Sequence, residues 1–322
     1  MSPLLEITNI TKTFAVPSGL FGRQRVSAVD GVSLEIEAGE VLGLVGESGS
    51  GKTTLARCVL GLTPIDGGEV RFDGVDVSGL RGSGLREFRR RVQPVFQDPF
   101  ASLDPRWTVG RSIREALDSY RIGSPLDRDK RVLELLDRVG LSDGYAARLP
   151  RQLSGGQRQR VGIAAALAGD PELIVADEPV SALDVSVQAQ VLNLVADLQR
   201  DLGVAVLFVA HDLSVVEHIS QRVAVMYLGR IVEVGAAGEV FAAPRHPYSQ
   251  ALVEAIPYPD PARRSTHVPL AGEIPSPVNP PDGCRFNPRC PITVDICRSL
   301  RPTLEVTSDL HLAACHVNAP SN

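Results

Sequence analysis

Over residues 1 to about 240, short apolar runs alternate with stretches patterned for helices. The runs at 41–45, 92–96, 173–176 and 204–209 are mostly apolar, with little alternation between faces. Such runs suit strands buried on both faces, as in a parallel sheet. Residues 53–62, 129–139, 157–168 and 187–202 carry helical spacing. Strand followed by helix, repeated, predicts an α/β core. Between 96 and 173 no strand pattern stands out, so that stretch reads as a helical insertion. Residues 223–227 and 230–235 read as a closing hairpin.

From residue 244 the texture changes. Fourteen of the 24 prolines fall in the last 79 residues. Proline removes a backbone donor and disfavours regular elements, which predicts a loop-rich extension. Composition adds limits. Hydrophobic residues at 43% allow a sizeable core, and charged residues at 22% are ordinary for a globular chain. A net charge of -5 argues against a general nucleic-acid binder. No run of 18 apolar residues occurs, so no membrane span is expected. The first ten residues do not resemble a secretory signal, and the chain is expected in the cytoplasm. Cys58 stands alone, while Cys284, Cys290, Cys297 and Cys315 fall in the last 39 residues. Clustered cysteines in such a setting suggest metal ligation more than disulfides.

Two motifs carry chemistry. Gly46-Glu47-Ser48-Gly49-Ser50-Gly51-Lys52-Thr53 fits G-x-x-x-x-G-K-[ST], after an apolar run and before a helix. Glycines there let consecutive N–H groups turn toward phosphate oxygens, and the helix N-terminus adds its dipole. Lys52 is expected to reach the β- and γ-phosphates, and Thr53 to ligate Mg²⁺; Thr54 completes the cradle. The only other lysines are Lys12 and Lys130, which makes Lys52 more telling. The run 173–176 ends in Asp177-Glu178. Carboxylates at a strand end stand where open α/β sheets bind ligands. Asp177 is expected to hold Mg²⁺ and Glu178 to orient the attacking water. Cys58 lies among Leu55, Val59 and Leu62 and reads as core.

Leu153-Ser154-Gly155-Gly156-Gln157 lies between these motifs, and with it the chain resembles the nucleotide-binding subunits of ABC transporters. Ser154 also reads as the N-cap of a helix whose start could bind an anion. The resemblance implies a P-loop NTPase core of ABC type, α/β, with a helical subdomain over about 98–168 and a loop-rich C-terminal extension. The implied domains are 1–243 and 244–322. It also implies head-to-tail pairing of two such domains, each binding ATP and Mg²⁺. Ser154, Gly156 and Gln157 would then act on the partner's nucleotide. By the same resemblance Gln97 touches Mg²⁺ and water, His211 contacts the γ-phosphate, Asp184 communicates between sites, and Phe14 stacks on adenine, with Phe21 as its rival. Val180, Ala165 and Asp104 depart from common family residues, but none removes a ligand or the base.

The run Phe100-Ala101-Ser102-Leu103-Asp104-Pro105-Arg106, the triplet His246-Pro247-Tyr248 and the tail resemble the oligopeptide/dipeptide importer subfamily. That implies import of short peptides, with nickel or glutathione as alternative cargo, and a non-transport ABC ATPase as the other reading. A translation ATPase would carry two cassettes, a repair ATPase a coiled-coil insertion and an exporter membrane helices. The implied partners are a second, different ATPase subunit, two transmembrane permease subunits and an external substrate-binding protein, at the cytoplasmic face of the membrane. Nucleic acid is not among them. The spacing Cys284-x5-Cys290-x6-Cys297-x17-Cys315 resembles members holding a four-iron four-sulfur cluster. Four thiolates suit that cluster or zinc, with free thiols as the third possibility.

Overall fold

The computed structural model describes residues 2–18, 22–98, 102–256, 272–308 and 311–318. The strands are β1 Leu5–Ser18, β2 Gly22–Ile36, β3 Val41–Val45, β4 Gly67–Phe72, β5 Val75–Asp76, β6 Val92–Val95, β7 Leu173–Asp177, β8 Ala205–Ala210, β9 Arg222–Tyr227, β10 Arg230–Ala236, β11 Glu305–Ser308 and β12 His311–Ala313. The helices are α1 Lys52–Val59, α2 Gly82–Arg91, α3 Val109–Tyr120, α4 Pro125–Arg138, α5 Gly155–Leu167, α6 Val185–Leu202, α7 Leu213–Ile219, α8 Ala237–Ala242 and α9 Pro247–Glu254. Two compact units result: Met1–Leu5, Ile36–Val41 and Arg71–Val209 form one, and Glu6–Glu35, Leu42–Val70 and Ala210–Asn322 the other. No helix among the described residues is long and apolar enough to cross a membrane.

The first unit is built on three parallel strands in the order β6-β7-β8. Every residue of β7 and β8 is buried, which explains their unbroken apolar runs. Between β6 and β7 the described residues form only helices and turns. There α3 and α4 pack against α5. Helix α4 begins at Pro125 because Ser124 and Asp127 form a reciprocal capping box with Pro125 at the first helical position. The apolar spacing alone places that start four residues later.

In the second unit β3 pairs parallel with β9, and β9 turns back into antiparallel β10 at Leu228-Gly229. The long strands β1 and β2, together with β4, form a separate sheet that the apolar runs do not announce. The C-terminal extension contains more order than its prolines suggest. It contributes α9, and β12 pairs with β10 while β11 pairs with β12. Two polar nodes, one fully buried and one half-buried, fix it. Glu233 on β10 is fully buried and accepts from the N–H groups of Arg245 and His246 at 2.7 and 2.8 Å. Nε2 of His311 lies 2.7 Å from the same carboxylate. Asp30 on β2 takes two bonds from Arg230, at 2.9 and 2.8 Å, and one from Arg285. Burial alone would raise the Asp30 carboxyl, but the Arg230 bonds and the charges of Arg285, Arg230 and Arg301 hold it below the usual range.

Candidate functional site

The phosphate loop joins β3 to α1, and its glycines are required by space. Gly46 has φ 151°, and a Cβ there would meet the Met226 carbonyl oxygen at 2.1 Å. Gly51 has φ 107°, and a Cβ would meet the Ala28 carbonyl oxygen at 2.1 Å. Neither position admits another residue. Ser48 and Gly49 are exposed and Ser50 is buried. Lys52 is 4% exposed, and its Nζ donates to the carbonyls of Gly46 and Glu47 at 2.7 and 3.0 Å. Helix α1 has neither a side-chain cap nor an acidic residue in its first turn. Its N-terminus therefore presents no charge that opposes an anion. Thr53 and Thr54 occupy that first turn, both half-buried. Phe14 on β1 is 40% exposed, with the Lys12 ammonium 5.4 Å from its ring centre. Its rival Phe21 lies outside the described residues, as do Phe100 and Ala101.

In the first unit, register brings two predicted residues together. Val95 pairs with Ala176 across the parallel strands. Two residues further on each strand, Gln97 and Glu178 emerge at the same end. Nε2 of Gln97 donates to Glu178 Oε2 at 3.2 Å. Asp177 is 8% exposed at the end of β7. Glu178 has φ 49°, unusual for a residue with a side chain, and its N–H donates to the Val209 carbonyl at 2.9 Å. Ser181 donates twice to the Glu178 carbonyl, at 3.3 Å from its N–H and 3.1 Å from its hydroxyl. Glu178 is thus held by backbone bonds in the sparsely populated left-handed region.

The segment 153–157 opens α5. Ser154 Oγ accepts from the Gln157 N–H at 3.3 Å, and Gln157 Oε1 accepts from the Ser154 N–H at 3.0 Å. Gln157 Nε2 donates to Tyr145 Oη at 2.9 Å. A Cβ on Gly156 would meet Val187 Cγ1 at 2.3 Å. The helix start thus has a structural account of its glutamine and second glycine that the sequence alone does not supply. Ser154 remains exposed. Asp184 is exposed at the N-cap of α6, with no side-chain bond to the helix. His211, in the second unit, is exposed just past the end of β8.

Known proteins match this arrangement. Residues 29–181 match the family model described as ABC transporter, and residues 232–297 the one described as oligopeptide/dipeptide transporter, C-terminal region. A probable peptide ABC transporter ATP-binding protein of Sinorhizobium fredii is 53% identical over 99% of this chain and 91% of its own length. This chain belongs to the ATP-binding subunits of ABC transporters. The oligopeptide transport ATP-binding protein AppF of Bacillus subtilis is 47% identical, covering 98% of this chain and 97% of its own. Among solved structures, the ATP-binding cassette MJ0796, in a post-hydrolysis dimer with ADP and Pi, is 33% identical with a TM-score of 0.65. It covers 72% of this chain and 98% of that one. As an ABC ATPase, the chain hydrolyses ATP with Mg²⁺.

The four clustered cysteines of this ABC subunit lie in its extension. All four are free thiols, and Cys297 and Cys315 are buried. Burial pushes the Cys284 thiol up to about 11, and the nearby Cys297, Cys290 and Cys315 add to the shift. The four are therefore neighbours, as the spacing suggests. Yet among the described residues no three His, Cys, Asp or Glu side chains are grouped so as to hold a metal ion. The segments are tied by backbone instead, the Cys284 N–H donating to the Cys297 carbonyl at 2.9 Å. The expected iron–sulfur or zinc ligand set is not formed in this arrangement.

The sequence also gave no warning of two side chains at the phosphate loop. Arg289 reaches the Glu47 carboxylate, and Tyr248 Oη accepts from the Glu47 N–H at 2.7 Å. Tyr248 stands out only as part of a subfamily triplet, and Arg289 carries no signal in the sequence.

Proposed function

We propose that this ABC ATPase powers uptake of short peptides through a membrane transporter. The match of residues 232–297 to the oligopeptide/dipeptide transporter C-terminal region carries the proposal, because the cassette itself says nothing about cargo. Whole-length likeness to proteins named for peptide transport supports it. In this proposal residues 1–243 are the nucleotide-binding domain and 244–322 its extension. The chain sits at the cytoplasmic face of two permease subunits fed by an external binding protein. Its ATPase partner is a second, different subunit.

The site roles follow from residue chemistry. The loop Gly46, Glu47, Ser48, Gly49, Ser50 and Gly51, with Lys52, Thr53 and Thr54, would hold the ATP phosphates, the Glu47 N–H itself being taken by Tyr248. The Thr53 hydroxyl, Gln97 and the Asp177 carboxylate are hard oxygen donors, the class that suits Mg²⁺. That ion would neutralise charge on the phosphates. Glu178, oriented by Gln97, would position the attacking water, and His211 the γ-phosphate. Phe14 would stack on adenine. Ser154, Gly156, Gln157 and Asp184 would serve the partner's nucleotide across the dimer.

Cells carrying Lys52→Ala should lose uptake of labelled di- and tripeptides and keep uptake of free amino acids. Peptide uptake at the wild-type rate, with loss of nickel or glutathione uptake instead, would reassign the cargo. A four-iron cluster at Cys284, Cys290, Cys297 and Cys315 is a separate proposal, supported by donor chemistry alone. It would require the thiols to draw together. Protein purified without oxygen should then carry about four irons per chain, and a colourless, iron-free protein would end it.

A further inference from the structure

The extension does more than pack beside the phosphate loop. Glu47 is the second residue of that loop, and its carbonyl already accepts from Lys52 Nζ at 3.0 Å. Its carboxylate receives both terminal nitrogens of Arg289, at 2.8 and 3.1 Å. Arg289 ends a short 3-10 turn, Asn287–Arg289, between Cys284 and Cys290. It is 8% exposed, and its fork-to-fork pairing fixes both side chains in orientation. The Glu47 N–H is held by Tyr248, which is fully buried at the first turn of α9. Tyr248 packs on Tyr227 and Phe286, with ring centres 4.6 and 5.5 Å apart. Arg289 makes a longer bond of 3.4 Å to Tyr227 Oη. One loop residue is thus gripped through backbone and side chain by two separate segments of the extension.

The electrostatics give the grip a purpose. A carboxylate within one side-chain length of a triphosphate repels it, and for a half-buried carboxylate such as that of Glu47 the repulsion is weakened by salt. Arg289 both neutralises that charge and holds it in place. We infer that Arg289 is a positioning residue for nucleotide binding, which keeps the Glu47 carboxylate paired and away from the phosphates. The inference rests on the assignment of residues 46–53 to ATP phosphates. It ties the cysteine-bearing segment to the phosphate loop.

The test is Mg²⁺-ATP affinity of the full-length chain, measured for wild type, Arg289→Gln, Glu47→Gln and the double variant. Arg289→Gln should weaken binding about tenfold, a size of coupling that one side chain can carry. Adding Glu47→Gln should restore most of the affinity, because the unpaired carboxylate is gone. The defect of the single variant should also shrink at high salt. Wild-type affinity in Arg289→Gln would overturn the inference. So would a double variant no better than Arg289→Gln, since the unpaired acid would then not be the cause of the loss. If Arg289→Gln fails to fold, Arg289→Lys, which keeps the charge but loses the fork, should bind ATP more weakly than wild type and regain affinity when Glu47→Gln is added. Wild-type affinity in Arg289→Lys would then overturn the inference. Lys52→Ala separates the underlying assignment. If it binds ATP like wild type, the phosphate loop is misassigned, whatever Arg289 does.

Discussion

At the scale of single residues, the phosphate loop and the acidic pair were legible because each is a local motif with a strand before it. What could not be read was orientation. Gln97 and Glu178 are 81 positions apart, and only the register of β6 on β7 brings them to 3.2 Å. Gln157 and Gly156 were read through resemblance alone, whereas the capping box and the close approach of Val187 give them work inside one chain. Arg289 had no local signal, because its partner Glu47 lies 242 positions away. Glu178 makes the sharpest residue-scale prediction. Glu178→Gln preserves the size of the side chain and an oxygen that can accept from Gln97, but not the negative charge that polarises water. Hydrolysis should fall by at least about a hundredfold, while ATP binding is retained. Single-turnover kinetics beside equilibrium binding would check it, and near-normal turnover would remove Glu178 from the role of base.

At the scale of elements, buried strands were the most legible. Val41–Val45 emerges with the bounds its apolar run predicts, because both faces are covered and every position must be apolar. Helix starts were less so. Spacing shows where a face is apolar, not where capping begins, and Ser124-Pro125 starts α4 before its first buried residue, Val132. The sheet holding β1 and β2 escaped because its strands mix exposed, half-buried and buried positions, which reads as neither clean alternation nor a full run. The extension was read through its prolines. Proline density does forecast few backbone bonds, but β12 needs only a short stretch free of it to join β10.

At the scale of the whole chain, stability should report on how the extension is held. His246 caps α9, its Nδ1 accepting from the Tyr248 N–H at 3.1 Å while its own N–H goes to Glu233. It is 1% exposed, and burial lowers the imidazole from its ordinary 6.5 to about 3. The folded chain therefore keeps this ring neutral where the unfolded chain would protonate it. Between those two values the unfolded state binds more protons, so stability falls as pH drops below about 6.5. This one group supplies at most about 1.4 kcal/mol per pH unit. Glu233 does not cancel the effect, because its carboxylate meets the backbone N–H of His246 rather than the ring. His246→Asn keeps a side-chain oxygen that can cap the helix and removes the titrating group. Thermal unfolding from about pH 7.5 to about pH 5 should then show a shallower loss for the variant than for wild type. The variant, less stable at the upper pH because the smaller side chain leaves space beside Phe286, should close that gap as the medium is acidified. Parallel slopes would mean that the ring does not remain neutral on folding, and that the hold of Tyr248 on Glu47 is insensitive to acid over this range.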